Sequence, residues 1–344
     1  MLLKKIVVFL ILLTFFVPIQ NKLSAKRVRK NIILPSSYVI SYYKTKKNLN
    51  RWVKQIVYYS PPYNYKEAGI EKLIETLSNQ SLEKKVEAIS HHFLGRRYIR
   101  WPLGEGFIGK YDHAPLYRFD RFDCTTYIET VIALAQSNSL KEFIITLNKI
   151  RYKNGKISFL NRNHFPIIDW IPNNINQNVI TDITSKVADQ FPVEKASTLI
   201  DKREWFLSLP YSRFRVSYWV NKYQLISRLY KELEKSNPVE GKIKYIGLNT
   251  IFDSYKNLNH FLDNIPSGTI INVVGSHYSL SSATGSDYNI THQGFCIRKN
   301  GIPYFRHASS TRWRGVVEVP LKLYLRILLY KQVVGINILQ VNPA

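Results

Sequence analysis

Cysteine is scarce in this 344-residue chain: two occur, Cys124 and Cys296, beside eight histidines. Cys124 stands in RFDCTTYIETVIALA (residues 121–135), directly after Asp123 and directly before an apolar run. A cysteine so placed can be a small buried residue, half of a disulfide, a metal ligand or a nucleophile. A nucleophile needs a base, usually histidine, and the base needs an orienting group. THQGFCIRKNGIPYFRHASS (residues 291–310) offers His292 and His307 for those two roles. The chemistry they would support is acyl transfer through a thioester.

The elements around these residues decide whether they can meet. Asp123 is a good helix N-cap, because its carboxylate can accept a first-turn N–H. Ile128, Val131, Ile132 and Ala135 then fall on one face, with Thr126 and Glu129 off it. Cys124 therefore opens the helix, where unpaired N–H groups and the macrodipole favour a thiolate. Asn300-Gly301 predicts a two-residue type I′ hairpin that pairs Lys299 with Ile302. In that register His307 faces Gly294 and His292 faces Ser309. Residues 292 and 294 share a face, so the two histidines are diagonal neighbours, roughly 7–8 Å apart at the backbone. Cys296 shares that face four residues on, about 13 Å from His292. A Cys124–Cys296 disulfide and a Cys124–His292 pair thus exclude each other, and Cys296 reads as a core thiol. No H-E-x-x-H or C-x-x-C occurs, and His91-His92 would point about 100° apart on a helix, so no metal is expected.

Composition sets the compartment. Forty-nine Lys and Arg against 24 Asp and Glu give a formal charge of +25, with 45% hydrophobic residues. The basic residues are spread along the chain without a nucleic-acid-binding signature, so nucleic acid is not an expected partner. Lys4 and Lys5, an apolar run from Ile6 to Val17, and Ser24-Ala25 have the layout of a secretory signal peptide. Residues 1–25 are expected to direct export to the periplasm or envelope. Loss of Lys4, Lys5 and Lys22 takes the charge from +25 to +22, which suits contact with an anionic envelope surface.

Residues 26–80 read as a basic, Tyr-rich N-terminal extension and 81–344 as the main domain. Helical spacing covers 67–77 and 82–93, and Val216–Glu234 reads as a further helix. Asn154-Gly155 predicts a hairpin, and strands are expected at 270–274, 290–298, 303–308, 316–319 and 333–341. Helices first and an antiparallel sheet afterwards give an α+β fold.

From about Leu82 onward, RFDCTTYIETVIALA, RYKNGKISFLNRNHFPIIDW and THQGFCIRKNGIPYFRHASS together resemble the bacterial N-acetylmuramoyl-L-alanine amidase-like family. That family is counted among the NlpC-type, papain-like cysteine hydrolases. The resemblance implies a nucleophile-bearing helix packed on an antiparallel sheet, with Cys124 as nucleophile, His292 as base and His307 as orienter. FLGRRYI resembles the family's F-L-G-x-P-Y stretch, with Arg97 in place of proline, which makes Tyr98 an active-site phenol near the oxyanion beside Asp123. Gln293 stands where the family generally has valine. Arg162, His164, Asp169 and Trp170 match an R-x-H…D-W element. They either meet a carboxylated stem peptide or brace a loop, and Arg162 and His164 share a face if 156–164 is extended. Asp287 falls on the rim loop before the base.

The resemblance implies an exported cysteine amidase, without cofactor, that cuts peptidoglycan at the N-acetylmuramoyl–L-alanine amide. A stem-peptide endopeptidase with the same triad, a non-catalytic wall-binding protein and a disulfide-linked basic envelope protein are the alternatives. The cysteine mechanism expects a thiolate–imidazolium pair at rest; a neutral pair would count against it.

Overall fold

A computed structural model describes residues 66–344 apart from 218–219, 235, 279–287 and 312–314. The signal-like segment 1–25, most of the extension and Asp287 lie outside the described residues. Helix α1 (Glu67–Leu77) buries Ile70 and Ile74 in the same core as the rest of the chain, so the packed unit begins N-terminal of residue 81. Helix α2 (Leu82–His92) starts at Ser81, whose hydroxyl accepts from Lys84 N, and buries Val86 and Ile89. Two short strands, β1 (Arg97–Tyr98) and β2 (Arg121–Phe122), precede α3 (Cys124–Ala135) and α4 (Leu140–Arg151). Among the described residues the later helices of eight residues or more are α5 (Lys222–Leu233), α6 (Tyr255–Asn264) and α7 (Leu321–Leu328). The expected helix from Val216 begins only at Lys222, where Asn221 caps it by accepting from Gln224 N.

The strands form one sheet of ten. They comprise β3 (Ile180–Asp182), β4 (Val193–Ile200), β5 (Val239–Gly247), β6 (Ile270–Tyr278), β7 (Tyr288–Lys299), β8 (Ile302–Ser309), β9 (Gly315–Pro320) and β10 (Val333–Val341), with β1 and β2. Their order is β2-β1-β9-β8-β7-β6-β10-β5-β4, with β3 paired to β10. Only β1 and β2 run parallel. The result is a mixed α+β fold around a large antiparallel sheet. The β4–β5 pair was absent from the sequence expectation: VEKASTLI and VEGKIKYIG alternate, but with Lys and Glu on a largely exposed face.

Asn154-Gly155 does not make a hairpin. Both residues have positive φ, 54° and 69°, as a type I′ turn requires, yet they close a single 3-10 turn after α4. The only pairing across it is an isolated bridge between Tyr152 and Arg162, so residues 156–164 are not an extended strand. The arm before the turn is the end of α4, and the arm after it folds into a turn of its own, with Arg162 N donating to Ser158 O at 3.1 Å, so no ladder can extend from the dipeptide.

Asn300-Gly301 does make the expected hairpin. Lys299 pairs with Ile302 and the register runs unbroken past Pro303 to Phe295↔Arg306. One face of β7 and β8 packs on α2 and α3: the Phe295 and Tyr127 rings lie 5.9 Å apart, and Arg306 reaches Ser90 Oγ at 2.5 Å. The other face meets α7, with Phe305 and Tyr324 rings 4.3 Å apart. Helix α3 is enclosed on all sides, Thr126 and Glu129 included, rather than amphipathic. Ile128, Val131, Ile132 and Leu134, at about 1.5–3 kcal/mol for each buried side chain, fix it against the sheet.

Candidate active site

Asp123 caps α3 through a reciprocal capping box: its carboxylate accepts from Thr126 N at 2.8 Å, and Thr126 Oγ1 accepts from Asp123 N at 3.0 Å. This leaves the amides of Cys124 and Thr125 at the open helix end. The Cys124 side chain is half-buried there. The β7–β8 ladder stops at Phe295↔Arg306, while β7 stays paired to β6 through His292↔Val273 and on to Tyr288↔Tyr278, and β8 to β9 as far as Ser309↔Gly315. A bulge at Thr291 follows on β7. The splay between β7 and β8 frees the backbone N–H of Gln293, which together with that of Thr125 supports a negative charge on Cys124 Sγ. The thiol is thus seated one peptide unit from His292.

Across the same splay His292 Nε2 and His307 Nδ1 are 2.6 Å apart, and the rings are nearly perpendicular at 4.7 Å. Gly294 permits this approach: a Cβ there would lie 2.5 Å from the Phe305 ring and 2.8 Å from His307 Cβ. Tyr324 of α7 covers the pair, with its ring 5.1 Å from that of His307 and 6.4 Å from that of His292. No sequence signal had marked Tyr324, because KLYLRILLY reads only as an amphipathic helix. His307 Nε2 is buried without a hydrogen-bond partner among the described residues.

Burial controls the charges. It pushes the Cys124 thiol up to about 12, aided by the neighbouring Asp123 carboxylate. It lowers His292 to about 4, with a smaller push from Lys331, and lowers His307 as well. Both shifts favour the neutral forms over the thiolate–imidazolium pair expected from the sequence, and to that extent they count against the cysteine mechanism. The helix N-terminus and two N–H groups do favour the thiolate, but desolvation outweighs them.

Tyr98 lies beside the thiol. β1 pairs with β2 at Tyr98↔Phe122, which brings the phenol next to Asp123 and Cys124, and burial with both those groups raises its pKa above the ordinary tyrosine range. Cys296 is fully buried and a free thiol, as Cys124 is.

The R-x-H…D-W residues are engaged by the protein itself. Arg162 Nη1 donates to Leu103 O at 2.8 Å, and His164 Nε2 lies 2.8 Å from Phe159 O with its ring 4.8 Å from that of Trp205. Asp169 accepts from Phe165 N at 3.2 Å and pairs with Lys202, while Trp170 Nε1 donates to Glu129 Oε1 at 3.2 Å. Glu129 in turn holds the fully buried Arg151 at 2.7 Å. Nearby, the Glu105 carboxylate accepts from the backbone of Tyr111, Asp112 and Phe159, and Asp112 is clamped by Arg213 and Arg215. The bracing reading of Arg162, His164, Asp169 and Trp170 was one of the two expected, but their partners and the Glu105 and Asp112 clusters were not, since Asp112 and Arg215 lie 103 residues apart in sequence.

Residues 88–328 match a family model described as N-acetylmuramoyl-L-alanine amidase-like. Among solved structures, a Legionella pneumophila protein carrying the family model DUF1460 is similar at 34% identity and a TM-score of 0.76, over 80% of this chain and 94% of that one. An N-acetylmuramoyl-L-alanine amidase from Bacteroides uniformis is similar at 21% identity and a TM-score of 0.54, over 76% and 99% respectively, which is a likeness of fold. No curated protein matches the chain.

Proposed function

Because the chain belongs to the N-acetylmuramoyl-L-alanine amidase-like family, we propose that it is an exported cysteine amidase that hydrolyses the N-acetylmuramoyl–L-alanine bond of peptidoglycan on an NlpC-type, papain-like scaffold. The observation that supports the cysteine chemistry best is the seating of Cys124 on the Gln293 N–H, one residue from His292, with His307 2.6 Å behind it. In the proposed reaction the lactyl carbonyl enters beside the α3 N-terminus. His292 Nδ1 takes the thiol proton as Sγ forms its bond to the carbonyl carbon, which requires the tautomer with Nε2–H donated to His307. First-turn N–H groups and the Tyr98 hydroxyl receive the oxyanion. Collapse breaks the C–N bond, and the proton on His292 passes to the leaving alanine amine. Water, deprotonated by His292, then splits the thioester to a carboxylate and regenerates the thiol.

Residues 1–25 suit export to the periplasm or envelope, where a strongly basic chain would stay close to an anionic wall. Arg162, His164, Asp169 and Trp170 are read as braces for the loops around α3 rather than as direct substrate contacts. Mass spectrometry of muropeptides incubated with the protein and with Cys124→Ala tests the proposal. Free lactyl carboxyl and a released peptide starting at L-alanine are expected with the native protein alone. New termini inside the stem peptide would make it an endopeptidase, and identical digests from both proteins would refute cysteine catalysis.

A further inference from the structure

A buried chain of polar side chains runs from the seat of the thiol through the sheet. Thr125 Oγ1 donates to Gln293 Oε1 at 3.1 Å, Gln293 Nε2 donates to Asn272 Oδ1 at 2.8 Å, and Asn272 Nδ2 donates to Asn337 Oδ1 at 2.8 Å. Asn337 Nδ2 ends the chain on Asp182 Oδ2 at 3.2 Å, Lys244 O at 3.1 Å and Thr184 Oγ1 at 2.8 Å. Gln293, Asn272 and Asn337 are all within 2% of complete burial.

The far end fixes the polarity of the whole chain. A carboxylate and a backbone carbonyl can only accept, so Asn337 must turn its NH₂ toward them and its oxygen toward Asn272. Each following amide is then forced into one orientation, and Gln293 must present its oxygen to Thr125. A hydroxyl has a single hydrogen, and Thr125 spends it on Gln293. What remains for Cys124 Sγ, 4.0 Å away, is a lone pair, which accepts from a thiol and repels a thiolate.

We propose that Gln293 is a positioning residue for the nucleophile, which turns the Thr125 hydroxyl so that it accepts from Cys124 and holds the resting thiol protonated. As a donor the Thr125 hydroxyl would lower the Cys124 pKa, as the N–H groups of Gln293 and Thr125 do; its one hydrogen goes to Gln293 Oε1 instead, so the chain withholds that third donor. The other charged or titratable groups that interact with this sulfur are Asp123 at the cap, Tyr98 from β1 and Tyr324 from α7; His292 and His307 follow on β7 and β8, with Lys331 acting on both. All are common to the variants below and cancel in the comparison.

The inference rests on reading Cys124 as the reactive thiol, but its test does not need peptidoglycan cleavage. The rate of Cys124 alkylation by iodoacetamide is followed from pH 6 to 10 by peptide mass spectrometry, on protein whose near-ultraviolet circular dichroism is native. Gln293→Met removes the acceptor and frees Thr125 to donate to the thiolate, so at every pH in this range Cys124 should react about tenfold faster than in the native protein. Asn272→Leu, which touches neither Cys124 nor Thr125, should speed the reaction in the same direction by letting the Gln293 amide turn over, and serves if the first variant does not fold. Gln293→Glu keeps an acceptor for Thr125 and should not speed it. In a Thr125→Ala background the gain should vanish. An unchanged rate in Gln293→Met or Asn272→Leu, or a gain that survives Thr125→Ala, overturns the proposal, whatever the muropeptide digest shows.

Discussion

Replacing Glu129 with leucine is expected to weaken the fold more than loss of any single apolar contact in α3. Glu129 lies on the second turn of the helix that Cys124 opens, and its carboxylate is 2% exposed. It serves two buried donors: Arg151 Nε at 2.7 Å and Trp170 Nε1 at 3.2 Å. Arg151 is fully buried; its Nη1 donates to Leu116 O at 2.5 Å, and its Nη2 has no hydrogen-bond partner among the described residues. Without Glu129 a guanidinium charge stays buried with one carbonyl for support. Breaking such a pair from one side costs about 3–5 kcal/mol, because the remaining charge is left uncompensated. Against the roughly 5–15 kcal/mol that holds a folded domain, that is about a fifth of the total or more. Removing both charges, in Glu129→Leu with Arg151→Met, should recover most of the loss. Urea unfolding followed by circular dichroism measures both variants. A single variant within about 1 kcal/mol of the native protein, or a double variant no more stable than the single, would refute this account of the brace.

With the Cys124 thiol pushed up to about 12, its alkylation rate should climb about tenfold per pH unit through neutrality; a flat region between pH 5 and 8 would reveal a preformed ion pair. His307→Ala removes the group held 2.6 Å from His292 and should lower kcat on muropeptide substrates about 100-fold at similar KM, so an unchanged kcat would remove His307 from the mechanism. Gly294→Ala places a methyl 2.5 Å from the Phe305 ring and should cost about 1–3 kcal/mol in urea unfolding; a cost near zero would mean that the ring moves freely. Burial holds His92, His164, His292 and His307 below their ordinary pKa, so unfolded histidines bind protons before folded ones. Stability is then complete above about pH 6.5 and is lost as pH falls toward 4, by up to about 1.4 kcal/mol per pH unit for each histidine. Calorimetry at pH 7, 6 and 5 should show a falling Tm, and a constant Tm would contradict the assignment.

What the sequence made legible was short-range. Asp123 as cap and Asn300-Gly301 as turn are signals carried by one to three neighbouring residues, and the register that brings His292 toward His307 follows from the turn by counting. Asn154-Gly155 carries the same kind of signal and misleads, because the arm before it is helical to Arg151 and the arm after it turns back on itself between Ser158 and Arg162. Glu129–Arg151, Asp112 with Arg213 and Arg215, and the Gln293–Asn272–Asn337 chain join residues between 21 and 103 positions apart. No local period announces such pairs. Glu129 in particular looked like a solvent-facing residue off the apolar stripe, and only the closure of the sheet, α4 and the Trp170 segment around α3 puts it inside.

The neutral resting pair bears on how much of the proposed reaction the site must supply. Burial opposes charge on both groups, so moving one proton from sulfur to imidazole costs free energy, which the attraction between the two new charges offsets in part. A neutral pair is therefore a slow thiol toward small electrophiles without being an incompetent one. The difference must come from groups that meet charge only as it forms: the N–H groups of Thr125 and Gln293 on the sulfur, and His307 on the imidazolium. If His307 accepts from His292 Nε2–H, each increment of charge on His292 strengthens that bond, whereas the resting state gains little from it. The same logic separates two kinds of substitution. Loss of His307 should slow acylation and leave the resting alkylation profile nearly unmoved, while loss of Gln293 should move the resting profile first.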